Sequence, residues 1–345
     1  MLTLPSRPEY QYQPIVSTKT LARVLNVDHE KLIEIATSSD QYWKAGKREE
    51  KKDGGVRITN DAHLPLKQIH TRIKERILVK VLYPSYILGG IASDRYTHRD
   101  YIEHADRHAG SQFVLSEDIK NFFLSTAETI VTDMWRGLFR FGPDVSDLLT
   151  ALTTYKGSLP QGWITSNHLA NLALWRHEAG LVKSFEEAGF RYSRFVDDIS
   201  VSSTRIIEHE EKTKLVGDVV GFIKRCGFEP KRSKHDLSTS GDPMKVVRLN
   251  VNGKKATKPK ESRRNIRALV DQCVKYNPCA RNSPEYIKMW DQASGQVGNM
   301  KRMHPRQAKA MRDLLSANRP DRPPRKQSVK KKNHRKVLPP FVSQS

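Results

Sequence analysis

Two short apolar runs, Tyr192–Val196 and Ile199–Ser203, are separated only by the pair Asp197-Asp198. Each run is too short for a helix and suits a strand, so the segment reads as a β-hairpin with two carboxylates at its turn. Taken alone, the pair is explained by turn formation, because aspartate bonds nearby backbone and tolerates unusual dihedrals. A third carboxylate changes the meaning. Asp118 follows the apolar strand Phe113–Leu115, where by itself it would serve as the N-cap of a helix starting near Ile119. Three acids at strand ends constrain the fold, since like charges held close are costly unless cations neutralise them. Two Mg²⁺ ions about 3.5–4 Å apart would do so and would stabilise the attacking and leaving oxygens of an in-line phosphoryl transfer. Mg²⁺ takes one or two carboxylates plus substrate phosphates, which suits a site this sparse.

The acids sit in a basic chain. Lys and Arg number 60 against 38 Asp and Glu, a net charge of +22, and nucleic acid is the usual partner of such an excess. Hydrophobic residues, at 37%, suffice for a core, and 345 residues suit two or three subdomains. Cys226, Cys273 and Cys279 lack the number and spacing of a disulfide framework or a zinc knuckle. The N-terminus has no basic region followed by an apolar run, and no apolar stretch approaches the ~20 residues of a membrane helix. The expectation is a cytoplasmic protein with no membrane partner.

Along the chain, residues 17–48 read as helices, with Ser17 and Thr18 as caps. Residues 49–59 read as a basic hairpin with an Asp-Gly-Gly turn. Residues 64–83 read as a helix with Leu66, Ile69, Ile73, Ile77 and Val81 on one face; Arg72 and Arg76, four apart, either flank a nucleic-acid backbone or form a solvated face, the favoured reading for either alone. Helices are expected over 126–155, Leu169–Leu181 and 212–226, so helices and strands alternate in an α+β pattern. Between the acidic segments, Ser158-Leu-Pro-Gln-Gly-Trp-Ile-Thr-Ser166 reads as a loop entering a helix, with Thr165 and Ser166 as caps. From about 260 the pattern is helical and basic, with a last helix at Ala308–Leu315. Residues 318–345 have too little apolar content to pack and read as a basic, disordered tail.

Asp118-Ile-Lys-Asn-Phe-Phe123, Leu159-Pro-Gln-Gly-Trp163 and Phe195-Val-Asp-Asp198 resemble, in order, the three palm motifs of reverse transcriptases. Within that superfamily the chain is most similar to the bacterial retron and defence-associated enzymes, whose second motif has the Leu-Pro-Gln-Gly form continued here by Thr165-Ser166 and Leu169-Ala-Asn-Leu172. Lys52 through Ile58, followed by Leu66 through Ile73, is similar to their fingers. Gly227 through Lys234 resembles the motif that ends in a lysine near the triphosphate, and Gly295 through Pro305 resembles the thumb. Three elements depart from the pattern. Phe195 replaces the commoner Tyr. His104-Ala-Asp-Arg-His108 stands for Asn-Ala-x-x-His. Val246-Val-Arg248 stands for the Val-Thr-Gly associated with recognising a structured RNA.

The resemblance implies an α+β right-hand polymerase. Its divisions would be N-terminal helices and fingers over 1–110, a palm of antiparallel sheet and helices over 111–245, a helical thumb over 246–317, and the tail. It implies an RNA-directed DNA polymerase that copies a structured non-coding RNA into a short single-stranded DNA in an anti-phage defence system. Mg²⁺ (Mn²⁺ as substitute) would be held by Asp118, Ile119, Asp197 and Asp198, with Asp118, Asp197 and Asp198 catalytic. Phe123 would exclude the ribose 2′-OH. Ile119, Gln161 and Gly162 would border the incoming dNTP, Lys52 and Arg57 would contact its triphosphate, and Lys234 would protonate the leaving pyrophosphate. His108, Arg248, Lys258, Arg263, Arg264 and Arg267 would contact RNA. The implied partners are an RNA template, the cDNA product, dNTPs and a protein effector such as a toxin. Two other readings fit the residues less closely: a defence-associated enzyme without a retron RNA, and a non-catalytic RNA-binding protein with an inherited palm, against which the intact acids argue. A group II intron maturase fits least, because no DNA-binding or endonuclease domain follows the thumb-like segment.

Overall fold

The computed structural model describes residues 4–50 and 56–320, with only the backbone described for Ala45 and Arg57. Helix and sheet are mixed, and the chain divides into two compact units at Pro259/Lys260.

At the centre of the first unit is a four-stranded antiparallel sheet, ordered Arg191–Phe195, Asp198–Ser203, Phe113–Asp118, Asp236–Thr239. Register places Asp118 opposite Asp198, with Phe113 opposite Ser203 at the far end. The strands form because Phe113, Val114, Leu115, Tyr192, Ile199 and Val201 all find buried positions. Helix Glu178–Glu187 packs on the strand Arg191–Phe195 and in turn against helix His209–Arg225. Helix Tyr101–Asp106 packs on that same strand and on a small hairpin, Lys245–Val246 with Leu249–Asn250.

The N-terminal helices are shorter than the sequence suggests. Helix Thr18–Leu25 starts on a Ser17 cap and ends at Asn26, whose φ of 53° stops it. Helix His29–Thr37 starts on an Asp28 cap. The chain then turns to a strand at Trp43–Glu50, paired with Val56–Ala62, so residues expected to be helical form half of a long hairpin. The Asp-Gly-Gly turn and Lys52 lie outside the described residues. Helix Leu64–Arg76 buries Leu66, Ile69 and Ile73 as expected, then breaks into a short 3₁₀ turn and a strand at Val81–Leu82. Arg72 and Arg76 are not idle on a solvated face. Each donates 2.7 Å hydrogen bonds to the end of helix Thr18–Leu25, at the carbonyls of Asn26 and Val24. They satisfy acceptors that a helix C-terminus leaves over. Residues 126–155 are helical over Glu128–Asp133 and Pro143–Thr153, joined by a π-turn at Met134–Leu138. The expected helix Leu169–Leu181 is two helices, Ser166–Leu172 and Glu178–Glu187.

Among the described residues the second unit holds three α-helices, Lys260–Lys275, Pro284–Met300 and Pro305–Ala317, around Ile266, Val270, Tyr286, Val297, Met311 and Leu315. The Trp290 indole N–H donates to the Leu315 carbonyl at 2.9 Å, tying the last two helices together. Residues 321–345, most of the expected tail, lie outside the described residues.

Candidate active site

Asp118 is the last residue of its strand rather than a helix cap; the next helix begins at Phe122, after Asn121 in the left-handed region. Across the sheet, Phe195 pairs with Asp198, so the hairpin turn is Val196-Asp197 and Asp198 already belongs to the strand. Val196 has φ of 60°, at the turn position where two-residue hairpins favour glycine. A β-branched residue there is strained by about 1–3 kcal/mol, which the surroundings must offset. The Arg194 guanidinium donates to the Val196 carbonyl at 2.8 Å, and the Ile119 N–H donates to the Asp197 carbonyl at 3.1 Å. Gly89 lies against the same turn, where an added Cβ would come within 2.9 Å of the Val196 nitrogen and the Phe195 ring.

This geometry draws three carboxylates together. Asp118, Asp197 and Asp198 each offer an oxygen, all within 4.8 Å of one another. Burial and then the neighbouring Asp118 charge raise the Asp197 carboxyl above its ordinary range. Burial and then Asp197 push Asp198 up to about 7. Such strain is what a cation would relieve, and an all-oxygen donor set suits Mg²⁺ or Mn²⁺. Lys234 already answers it in part. Its ammonium contacts Asp118 Oδ2 and lies 3.7 Å from Asp198 Oδ1. Burial alone would lower the lysine pKa, but the Asp118 hydrogen bond and the three acids outweigh it, and the net shift is upward. The Lys234 segment is laced to the strand end by hydrogen bonds from Lys231 N to Asp118 O (2.6 Å) and Lys120 N to Glu229 O (2.8 Å). His235 adds a contact to the buried Glu117.

Around the acids the other expected residues are unequally placed. Ile119 is fully buried and spends its N–H on Asp197, so only its carbonyl can serve a metal. Phe123 is half-buried against Phe122, with ring centroids 6.2 Å apart. The loop 158–166 meets the hairpin: Asn60 N donates to Gln161 O at 3.4 Å, and Gly162, with φ of 76°, lies against Thr59. Thr165 and Ser166 do not cap the helix as expected. Thr165 Oγ1 bonds His70 Nδ1 at 2.9 Å, tying the loop to helix Leu64–Arg76, and Ser166 Oγ donates to Pro160 O at 2.6 Å, folding the loop back on itself. Lys52 lies outside the described residues, as does the Arg57 side chain.

His108 cannot contact RNA from this position. It is fully buried behind the sheet, with Ser202 and Ser193 each 2.8 Å from one ring nitrogen, and burial pushes its pKa down to about 3. His104, also fully buried, bonds the same Ser193. Arg248 is exposed at the tip of its hairpin, where it and Val247 both have positive φ. Arg264 and Arg267 are exposed on the first helix of the second unit, while Arg263 is half-buried, 3.3 Å from Gln307 Oε1. Lys258 is half-buried near the end of the first unit.

One group at the site escaped the sequence reading. Arg194 and Glu178 form an ion pair in which both side chains are 0% exposed. The signal was present: in a strand of period two, Arg194 shares a face with Tyr192, an inward charge three residues before Asp197.

The family model described as reverse transcriptase (RNA-dependent DNA polymerase) matches residues 50–269. Similar curated proteins include the Retron Se72 reverse transcriptase of Salmonella heidelberg, 33% identical over 314 residues, covering 90% of this chain and 82% of that protein. The Retron Ec48 reverse transcriptase of Escherichia coli is 26% identical over 318 residues, covering 89% of this chain and 77% of that protein. A telomerase structure from Candida albicans overlays with a TM-score of 0.33 at 10% identity, over 58% of this chain and 40% of that one, too loosely to support an argument.

Proposed function

The chain belongs to the reverse transcriptase family and is an RNA-directed DNA polymerase of the bacterial retron group, and from that premise we propose that it copies a structured non-coding RNA into a short single-stranded DNA, by two-metal chemistry, within a cytoplasmic anti-phage defence system. The observation that carries the mechanism is the convergence of Asp118, Asp197, Asp198 and Lys234 at one end of the sheet.

Two Mg²⁺ ions, with Mn²⁺ as a substitute, would supply activation of the primer 3′-hydroxyl and stabilisation of the leaving oxygen. Asp118 and Asp197 would hold them, with Asp198 contributing less directly and the Ile119 carbonyl as a further oxygen donor. Lys234 is poised on Asp118 until a nucleotide enters, then gives its proton to the departing pyrophosphate. Phe123 presses on the sugar and rejects a 2′-OH. Gln161 and the Gly162 backbone border the base and sugar, and Lys52 and Arg57 contact the triphosphate, where positioning and charge dominate the chemistry. In this reading residues 1–110 hold the fingers, 111–245 the palm and 246–317 the thumb, whose helical part begins at Lys260. Arg248, Lys258, Arg263, Arg264 and Arg267 hold the RNA, and a protein effector such as a toxin completes the system.

Asp197→Asn removes a metal ligand while leaving the hairpin able to form. Extension of a primed RNA template is expected to fall by three orders of magnitude or so, the scale on which a removed catalytic group acts. Wild-type extension by this variant defeats the mechanism. The RNA is identified by purifying the protein from its host and sequencing what it carries. One dominant structured RNA joined to a short cDNA is expected. A diffuse sample of cellular RNA, or DNA with no attached RNA, would instead favour a defence-associated enzyme without a retron RNA.

A further inference from the structure

Arg194 is among the largest side chains that the first unit buries completely, and its charge is met by Glu178 at 2.5 and 2.9 Å. A buried ion pair is a weak source of stability, because desolvating both ions offsets their attraction and apolar residues of similar size often do as well. The rest of the guanidinium shows a second task. Nη1 donates to Val196 O at 2.8 Å and to Asn171 Oδ1 at 3.1 Å, and Nη2 donates to Asn171 O at 3.0 Å. The Val196 carbonyl belongs to the peptide that enters Asp197. Asn171 in turn donates to Gly89 O at 2.8 Å, and Gly89 packs against Phe195 and Val196. The contacts close a ring through Arg194, Val196, Gly89 and Asn171. That ring grips the one peptide whose left-handed conformation aims two of the three carboxylates.

We propose that Arg194 is a positioning residue, anchored by Glu178, that holds the Val196-Asp197 peptide so that Asp197 and Asp198 keep the spacing a divalent metal needs. The assignment rests on the metal-dependent reading above. A lysine cannot replace this arginine, because only the planar fork reaches Glu178, Val196 and Asn171 together.

The test uses the full chain and five variants. Arg194→Lys keeps the charge and loses the fork. The double variant Arg194→Met with Glu178→Gln removes both charges and leaves Gln to accept from Tyr192, which now donates to Glu178 at 2.8 Å. Glu178→Gln alone weakens the anchor but spares the bonds to Val196 and Asn171. Gly89→Ala presses on the same peptide without touching the ion pair. Direct Mn²⁺ binding, read by the paramagnetic resonance of the free ion, is compared with the metal-free melting temperature, kcat, and the metal concentration giving half-maximal extension. Arg194→Lys, the double variant and Gly89→Ala are expected to weaken Mn²⁺ binding about ten- to a hundredfold, as for other groups that orient metal ligands. Glu178→Gln is expected to lose melting temperature with Mn²⁺ affinity little changed. Wild-type Mn²⁺ affinity in whichever of the Arg194 variants fold, or in Gly89→Ala, overturns the proposal. Asp197→Asn separates the two levels: if it too binds Mn²⁺ normally, the metal reading fails, whereas its loss beside normal Arg194 variants sinks only this inference.

Discussion

Phe122 and Phe123 show how one position divides packing from function. Phe122 is buried against Phe228, with ring centroids 5.2 Å apart, and belongs to the core. Phe123 rests on Phe122 but keeps part of its ring free, five residues beyond Asp118. Cutting Phe122 back would leave a cavity; cutting Phe123 back would chiefly open space. Phe123→Ala is therefore expected to raise the kcat/KM of ribonucleotides relative to dNTPs by on the order of ten- to a hundredfold, the range that steric discrimination of a small group spans. An unchanged ratio in a folded variant would return Phe123 to the core.

At the scale of elements, buried uncharged histidines bolt the central sheet and, separately, a helix to the loop between the acids. His108 bridges Ser193 and Ser202, His104 bonds Ser193, and His70 ties helix Leu64–Arg76 to Thr165. Burial pushes His70 and His108 down to about 3 and His104 well below its ordinary value. The folded state holds these rings neutral, whereas the unfolded chain takes up their protons below about 6.5. Their contribution is thus complete above pH 6.5 and is lost as pH falls from there toward 3, each ring costing up to ~1.4 kcal/mol per pH unit. Urea midpoints measured from pH 7.5 to 4.5 should fall accordingly. His108→Gln can still bond a serine but cannot titrate, and its midpoint should fall less steeply; a slope equal to wild type would show that His108 does not carry the effect.

For the whole molecule the governing quantity is charge. The excess of +22 includes nine Lys and Arg between Arg319 and Lys336 against the single acid Asp321. Contacts to phosphate release counterions, with log K falling against log salt by about 0.7–0.9 per contact. Deleting residues 318–345 should weaken binding to nucleic acid and flatten that slope, yet spare extension at saturating template. A truncated chain with unaltered affinity and slope would assign the tail to another task, such as holding a protein partner.

The sequence alone determined what depends on residue order and local chemistry. The acidic hairpin, the strand leading to Asp118, the amphipathic face of Leu66, Ile69 and Ile73 and the run of basic helices after 260 were all legible, because apolar periodicity and turn chemistry act within a few residues. Local signals misled where a distant partner decided the outcome. Trp43–Glu50 is strand because Val56–Ala62 pairs with it, and Arg72 and Arg76 are ordered because a helix end some fifty residues away offers carbonyls. His108 looked like a surface reader until the sheet closed over it. The motif placed Lys234 near the site, but only the tertiary structure set its ammonium on Asp118, 116 residues apart, and the Arg194 fork behind the acidic turn. Both are through-space matches of charge and shape between segments whose spacing in the chain carries no period. A pattern can announce an acid or a strand; which cation lies beside it is decided when the elements pack.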